Sequence, residues 1–140
     1  MKNQRDILIL CGGQSEEREV SLVTGRQVAA ALAGGNWRPR LLDPADYPSL
    51  PELLHAILNP VPDVVFFGLH GGAGEDGRLQ AMLELAGVPF TGSRHAASAI
   101  AMDKLVSLRL AEHLGLAAPP TLSLRHADAP SEAITQLGFP

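Results

Sequence analysis

The sequence contains a single cysteine, Cys11. No internal disulfide is therefore possible, which excludes the stapled framework of a small secreted domain. A reducing cytoplasm fits, and that is the expected location. Long apolar runs are also missing: none approaches the ~20 residues needed to span a bilayer. The start, MKNQRDILILCGGQ, is basic but carries only a short apolar run before its glycines and no cleavage-site pattern, so it does not read as a signal peptide. Basic runs are absent. The 11 Lys and Arg residues are scattered and the formal net charge is −4, which argues against nucleic acid or an anionic membrane as the main partner. There is no internal repeat and no low-complexity tract. The loop GGQSEEREVS after the first apolar run is not GxGxxG, so the dinucleotide fingerprint fails there; GxSxG, GxxxxGK(S/T) and HExxH are missing from the sequence, so the hydrolase-elbow, P-loop and zinc-protease readings lose their support.

What is present is about one domain's worth of chain. Its 140 residues are 46% hydrophobic and 19% charged, the composition of a globular domain with a working core. The run DILILC at 6–11 predicts a strand buried on both faces, stopped by Gly12-Gly13. QSEEREVSLVTGRQVAAALAGG predicts a helix, with Val20, Val23, Val28, Ala31 and Leu32 near helical spacing and Gly34-Gly35 as its stop. WRPRLL at 37–42 predicts a second strand, and Pro39 places it at an edge or a strand start. A proline-rich stretch follows and holds one short helix, PELLHAILN. DVVFFGL at 63–69 is the most strand-like run in the chain. GRLQAMLELAG then puts Leu79, Met82, Leu83 and Ala86 on one helical face. A short strand is expected at 88–91, a longer helix at 96–114, a strand in TLSLR after Pro119-Pro120, and a last short helix at 131–137. Strands alternating with helices predict an α/β fold with a parallel sheet.

In such sheets ligands bind beyond the carboxyl ends of the strands. Two loops qualify. The first, GGQSEEREVS, follows the first strand. Gly12-Gly13 turn the chain and Ser15 can cap the helix, while Glu16 and Glu17 suit the macrodipole of its first turn. Alternatively one of the two carboxylates points into the cleft and holds an ammonium group or orients a hydroxyl. The second loop, HGGAGEDG at 70–77, is more specific. Its glycines let backbone N–H groups approach a ligand and form an anion nest. His70, at the strand's end, is placed to bind a carboxylate or phosphate, with Glu75 or Asp76 to orient it. Asp76 also reads as a cap of the following helix. His55, His95, His113 and His126 have no comparable setting. Ile100, Lys104 and Leu108 are spaced to share one helix face, where a lysine ordinarily snorkels. Cys11 ends a buried strand and reads as structural.

GGQSEEREVSL, HGGAGEDGRLQA and SAIAMDK, in this order and spacing, resemble the N-terminal part of D-alanine–D-alanine ligase, an ATP-grasp enzyme of peptidoglycan synthesis. The resemblance covers roughly residues 6–140. It implies a Rossmann-like parallel sheet with helices on both faces, the pre-ATP-grasp domain, over residues 1–93. A connecting helix and linker would follow at 94–118, and a truncated start of the central ATP-grasp subdomain at 119–140. It implies that ATP phosphorylates the carboxylate of one D-alanine and that the amine of a second attacks the acyl phosphate. Position by position, Glu17 matches the glutamate that helps hold the first D-alanine's ammonium, and Val20 a residue lining that pocket. His70 matches the histidine beside its carboxylate. Gly71 and Glu75 match the supporting loop, and Lys104 a lysine on ATP phosphate.

The resemblance also implies a homodimer that uses ATP and magnesium, or manganese in its place. The magnesium ligands, a second ATP lysine, a Ser and Tyr that partner the glutamate, and the catalytic arginine would lie beyond residue 140. No metal ligand and no bound cofactor is thus expected in this chain, and the 140 residues alone are expected to be inactive. The alternative is a stand-alone α/β module that binds a small molecule or a protein without catalysis.

Overall fold

The computed structural model describes residues 4–124, Thr135 and Leu137. The chain divides into two compact units, 1–99 and 100–140. In the first, three parallel strands form a sheet in the order β2-β1-β3. β1 is Arg5–Leu10, β2 Trp37–Leu42 and β3 Val64–Phe67. The central position of β1 follows from its composition. Leu8, Ile9 and Leu10 are fully buried, each worth roughly 1.5–3 kcal/mol of transfer free energy, and only a strand covered on both faces can bury consecutive residues. Leu8 and Leu10 share a cluster with Leu53 and Ile57 of α2 (Leu50–Leu58) and Met82 and Leu83 of α3 (Arg78–Leu85). Cys11, on the other face, lies against Gly25 of α1 (Arg18–Leu32), so closely that a Cβ there would collide with its sulfur. Helices therefore cover both faces, as expected. β2 is an edge strand, as Pro39 requires.

Three local differences from the sequence reading have physical causes. In α1 the buried positions are Ser21 and Gly25, while Val20 and Val23 are 58% and 44% exposed. Small residues let the helix approach the sheet, and the apolar spacing marked the wrong face. The strand expected at 88–91 is a single parallel bridge, Val65 to Phe90. Val65 N donates to Pro89 O at 2.8 Å and Thr91 N to Val65 O at 2.9 Å, so the segment pairs with β3 only as far as Pro89 and Thr91 allow. Finally, the single helix expected over 96–114 is two helices, α4 (His95–Met102) and α5 (Lys104–His113). Asp103 separates them as the N-cap of α5, its Oδ1 accepting from Val106 N at 3.0 Å. Ile100 and Lys104 thus belong to different helices, and the shared face expected of Ile100, Lys104 and Leu108 does not form.

Ser49 caps α2 through Glu52 N. Arg40 of β2 closes its other end, donating to Ala56 O, Ile57 O and Pro60 O at 3.0–3.3 Å, where a cation suits the carbonyl end of a helix. Glu84 of α3 binds both the ring Nδ1 and the backbone N of His95 and so fixes the start of α4. That hydrogen bond holds the Glu84 carboxyl below the usual carboxylate range. Beyond α5, residues 116–124 carry no regular structure, so the strand expected in TLSLR is not formed over its described part. Of the helix expected at 131–137, Thr135 and Leu137 are described and both are helical; the rest lies outside the described residues.

Candidate functional site

Parallel pairing puts the carboxyl ends of β1, β2 and β3 on one edge of the sheet. The two glycine-rich loops therefore converge, as the switch-point rule predicts. Between them lies a cavity of about 370 Å³. Gly12 to Ser15 line one side, Leu69 to Gly74 with His70 another, and Pro44, Ala45, Leu53, Arg78 and Leu79 complete the wall.

Four side chains stitch the loops together. Ser21, fully buried, accepts from Gly12 N at 2.8 Å and donates to Gly68 O at 2.6 Å, so one hydroxyl joins the end of β1 to the end of β3. Ser15 donates to His70 O at 2.6 Å. The cap position of α1 belongs to Glu17, which makes no side-chain cap bond. Ser15 was expected as the cap; its hydroxyl accepts from Glu17 N at 3.3 Å, at the entry of α1, and at the same time reaches the second loop. Asp43, just past β2, accepts from Gly13 N at 2.8 Å and from Ala45 N at 2.9 Å. It pairs with Arg18 at 2.6 Å, and Arg18 also donates to Gly13 O at 2.8 Å. Gly12 has φ +91° and a Cβ there would collide with the Asp43 carboxylate, so both its backbone and its neighbour demand glycine. Asp43, Ser21 and Thr24 were missed in the sequence. The available signal for Asp43 was an acid at a strand's carboxyl end beside a strand that closes on Gly-Gly.

The expected site residues fall as follows. Glu17 is exposed at the start of α1. Its carboxylate reaches the second loop, since a Cβ on Gly71 (φ +66°) would lie 3.0 Å from Glu17 Oε2. The structure thus brings together Glu17, Gly71 and, through Ser15, the backbone of His70. His70 is one of the residues that line the cavity, and its ring Nε2 lies 3.3 Å from Thr24 Oγ1; the orienting partner is Thr24, not Glu75 or Asp76. Val20 is exposed on α1 and is not part of the cavity wall. Glu75 is exposed, and its carboxylate takes no hydrogen bond from the described residues. Asp76 accepts from Arg78 N at 3.1 Å and pairs with the Arg78 guanidinium at 2.6 Å, which holds its carboxyl below the usual range. It serves the first turn of α3 from one residue upstream of the cap, Gly77. Lys104 opens α5 in the second unit and is exposed.

This arrangement suits a small zwitterion. A glycine-rich turn and an imidazole can receive a carboxylate, and a carboxylate at the adjoining loop can receive an ammonium. Among the described residues no group of three His, Cys, Asp or Glu side chains could hold a metal ion. No described helix is long and apolar enough to cross a membrane.

The family described as D-ala D-ala ligase N-terminus matches residues 51–93. A D-alanine–D-alanine ligase from Gloeobacter violaceus is 48% identical over 123 residues, 88% of this chain and 38% of that protein. Another from a Synechococcus species is 43% identical over 137 residues, 96% of this chain and 42% of that protein. The chain is similar to the N-terminal portion of the D-alanine–D-alanine ligases. The fold agrees. The Bacillus anthracis D-alanine–D-alanine ligase, solved in complex with ATP, superposes with a TM-score of 0.84 at 30% identity, over 99% of this chain and 44% of that one. The chain therefore spans less than half the length of the ligases it matches.

Proposed function

We propose that this chain forms the first-substrate side of an ATP-dependent D-alanine–D-alanine ligase. The observation that carries the reading is the convergence of Glu17, Gly71 and His70 at the shared carboxyl edge of β1 and β3. In this reading His70 and the N–H groups of the 71–74 turn receive the carboxylate of the first D-alanine, and Glu17 receives its ammonium. Val20 flanks the pocket, Glu75 supports the loop, and Lys104 contacts ATP phosphate. ATP phosphorylates the bound carboxylate and the amine of a second D-alanine attacks the acyl phosphate. Charge builds on the phosphoryl oxygens, and fixed cationic and N–H groups stabilise it electrostatically. The dipeptide would feed peptidoglycan synthesis in the cytoplasm, and the enzyme would act as a homodimer. The described residues offer no magnesium site, so no step is assigned to a metal here.

The test compares the longest open reading frame containing this sequence with the 140 residues alone. D-alanine-dependent phosphate release from ATP is expected from the first and not from the second. His70→Ala and Glu17→Gln are expected to lower kcat/KM for D-alanine by about 10²-fold or more, the scale of a lost charge-assisted contact of roughly 3 kcal/mol. A complete protein that releases no phosphate in response to D-alanine overturns the reading.

A further inference from the structure

We propose that Thr24 positions the ring of His70 so that Nδ1–H, not Nε2–H, is the donor this histidine presents to an anion in the cavity. The inference rests on the reading of His70 as an anion contact, but its own support is geometric. Nε2 is occupied: it lies 3.3 Å from Thr24 Oγ1. Nδ1 has no partner among the described residues, and His70 is one of the residues that line the cavity. The backbone of His70 is fixed separately, by Ser15 on its carbonyl, and Gly68 two residues earlier is held by Ser21. Ser21 and Thr24 are three residues apart in α1 and so lie on one face of it. That face meets the end of β3 twice, once at a carbonyl and once at the ring.

The hydroxyl can donate or accept, so the direction of its hydrogen bond goes with the nitrogen that carries the proton. A neutral imidazole has one N–H. If Nε2 carries it, Nε2–H donates to Thr24 and Nδ1 is left with a lone pair, which repels a carboxylate. If Thr24 O–H donates to Nε2, the proton sits on Nδ1 and is available to the ligand. Among the described residues no other acceptor takes the hydroxyl hydrogen. Helical threonines often donate to the carbonyl four residues back, but Thr24 makes no hydrogen bond to Val20 O among the described residues. When the ring is protonated, Nε2–H donates to Thr24 and Nδ1–H remains a free donor. Thr24 is therefore compatible with a donating Nδ1 in both charge states, which a purely accepting neighbour would not be.

The experiment is long-range ¹H–¹⁵N NMR on the ¹⁵N-labelled 140-residue chain at alkaline pH, about 8.5, where imidazoles are ordinarily neutral. The expected result is a His70 with unprotonated Nε2 and protonated Nδ1. Thr24→Val is expected to move the ring toward the Nε2–H form that free histidine prefers, and Thr24→Ser to restore the wild-type pattern. A wild-type His70 protonated on Nε2 overturns the proposal, as does a Thr24→Val chain with an unchanged ring. If Thr24→Val fails to fold, the wild-type tautomer alone decides. The readout needs no substrate, so it stands or falls separately from ligase activity. In an active complete enzyme, Thr24→Val is further expected to raise KM for the first D-alanine about tenfold, with Thr24→Ser near wild type.

Discussion

Replacing Asp43 tests whether the first loop is held by one carboxylate. Its Oδ1 takes two backbone N–H groups, Gly13 at 2.8 Å and Ala45 at 2.9 Å, and Oδ2 faces Arg18 at 2.6 Å. The side chain is only 10% exposed, whereas Arg18 is 39% exposed. Hydrogen bonds to a charged group are worth about 1.5–3 kcal/mol each when water cannot replace them. Here both N–H groups belong to partly exposed loops, so the lower end applies. The Arg18 pair adds about 0.5 kcal/mol after discounting for its exposure. Asp43→Ala is therefore expected to cost about 3–4 kcal/mol, and Asp43→Asn, which keeps an Oδ1 acceptor but loses the charge, about 1 kcal/mol. The assay is equilibrium urea unfolding of the 140-residue chain. At an m-value of about 1.5–2 kcal/mol/M, the alanine variant's midpoint falls by roughly 1.5–2.5 M and the asparagine variant's by about half that or less. Amide exchange at Gly13 should accelerate in the alanine variant only. An alanine variant within ~0.5 kcal/mol of wild type, or an asparagine variant that falls as far, would refute the account of Asp43 as a two-bond clamp.

Ser21→Ala leaves Gly12 N and Gly68 O without their partner inside the core; a loss of about 2–4 kcal/mol by urea unfolding is expected, and a loss below ~1 kcal/mol would mean water enters that contact. The Cys11 thiol is buried and burial, with Asp43 nearby, pushes its pKa up. It should therefore resist a disulfide reagent at about pH 8 in the folded chain and react on unfolding; rapid labelling of the native chain contradicts that burial. On the acid side, hydrogen bonds from Arg38, Arg78 and His95 hold Asp6, Asp76 and Glu84 below their ordinary values. Depressed carboxyl pKa values confer stability that is complete above the unfolded range near 4 and disappears as pH falls through the folded values. The urea midpoint should thus decline from about pH 4.5 downward, and an Asp76→Asn variant should decline less steeply over the same window.

The fold was legible where a residue's neighbours along the chain determine its environment. Consecutive Leu8, Ile9 and Leu10 can only be buried together in a central strand, and Pro39 can only be tolerated at an edge. Leu79, Met82 and Leu83 at helical spacing correctly marked the buried face of α3. The same rule misread α1, because there the sheet is approached through Ser21 and Gly25. Close packing against small residues has no apolar periodicity to detect. The break at Asp103 carried a local signal, an aspartate whose carboxylate caps Val106 N, but the apolar pattern running through it was the stronger cue.

The site divides along the same line. His70 and the 70–77 loop stood out because several glycines with an imidazole at a strand's end are costly unless something approaches closely. The residues that make the loop a site were invisible for the opposite reason. Asp43, Ser21, Thr24 and Ser15 are separated in sequence from the atoms they hold by 30, 47, 46 and 55 residues. Each is of a type that also satisfies its own backbone at turns and helix ends, so nothing local distinguishes a cap from a cross-brace. Parallel strand order resolves the ambiguity: once β2 and β3 flank β1, the acid after β2 must lie beside the Gly-Gly turn after β1, and the hydroxyls of α1 must lie beside the end of β3. Topology, rather than motif, turns these four polar side chains into the frame that holds His70 and Glu17 at a common edge.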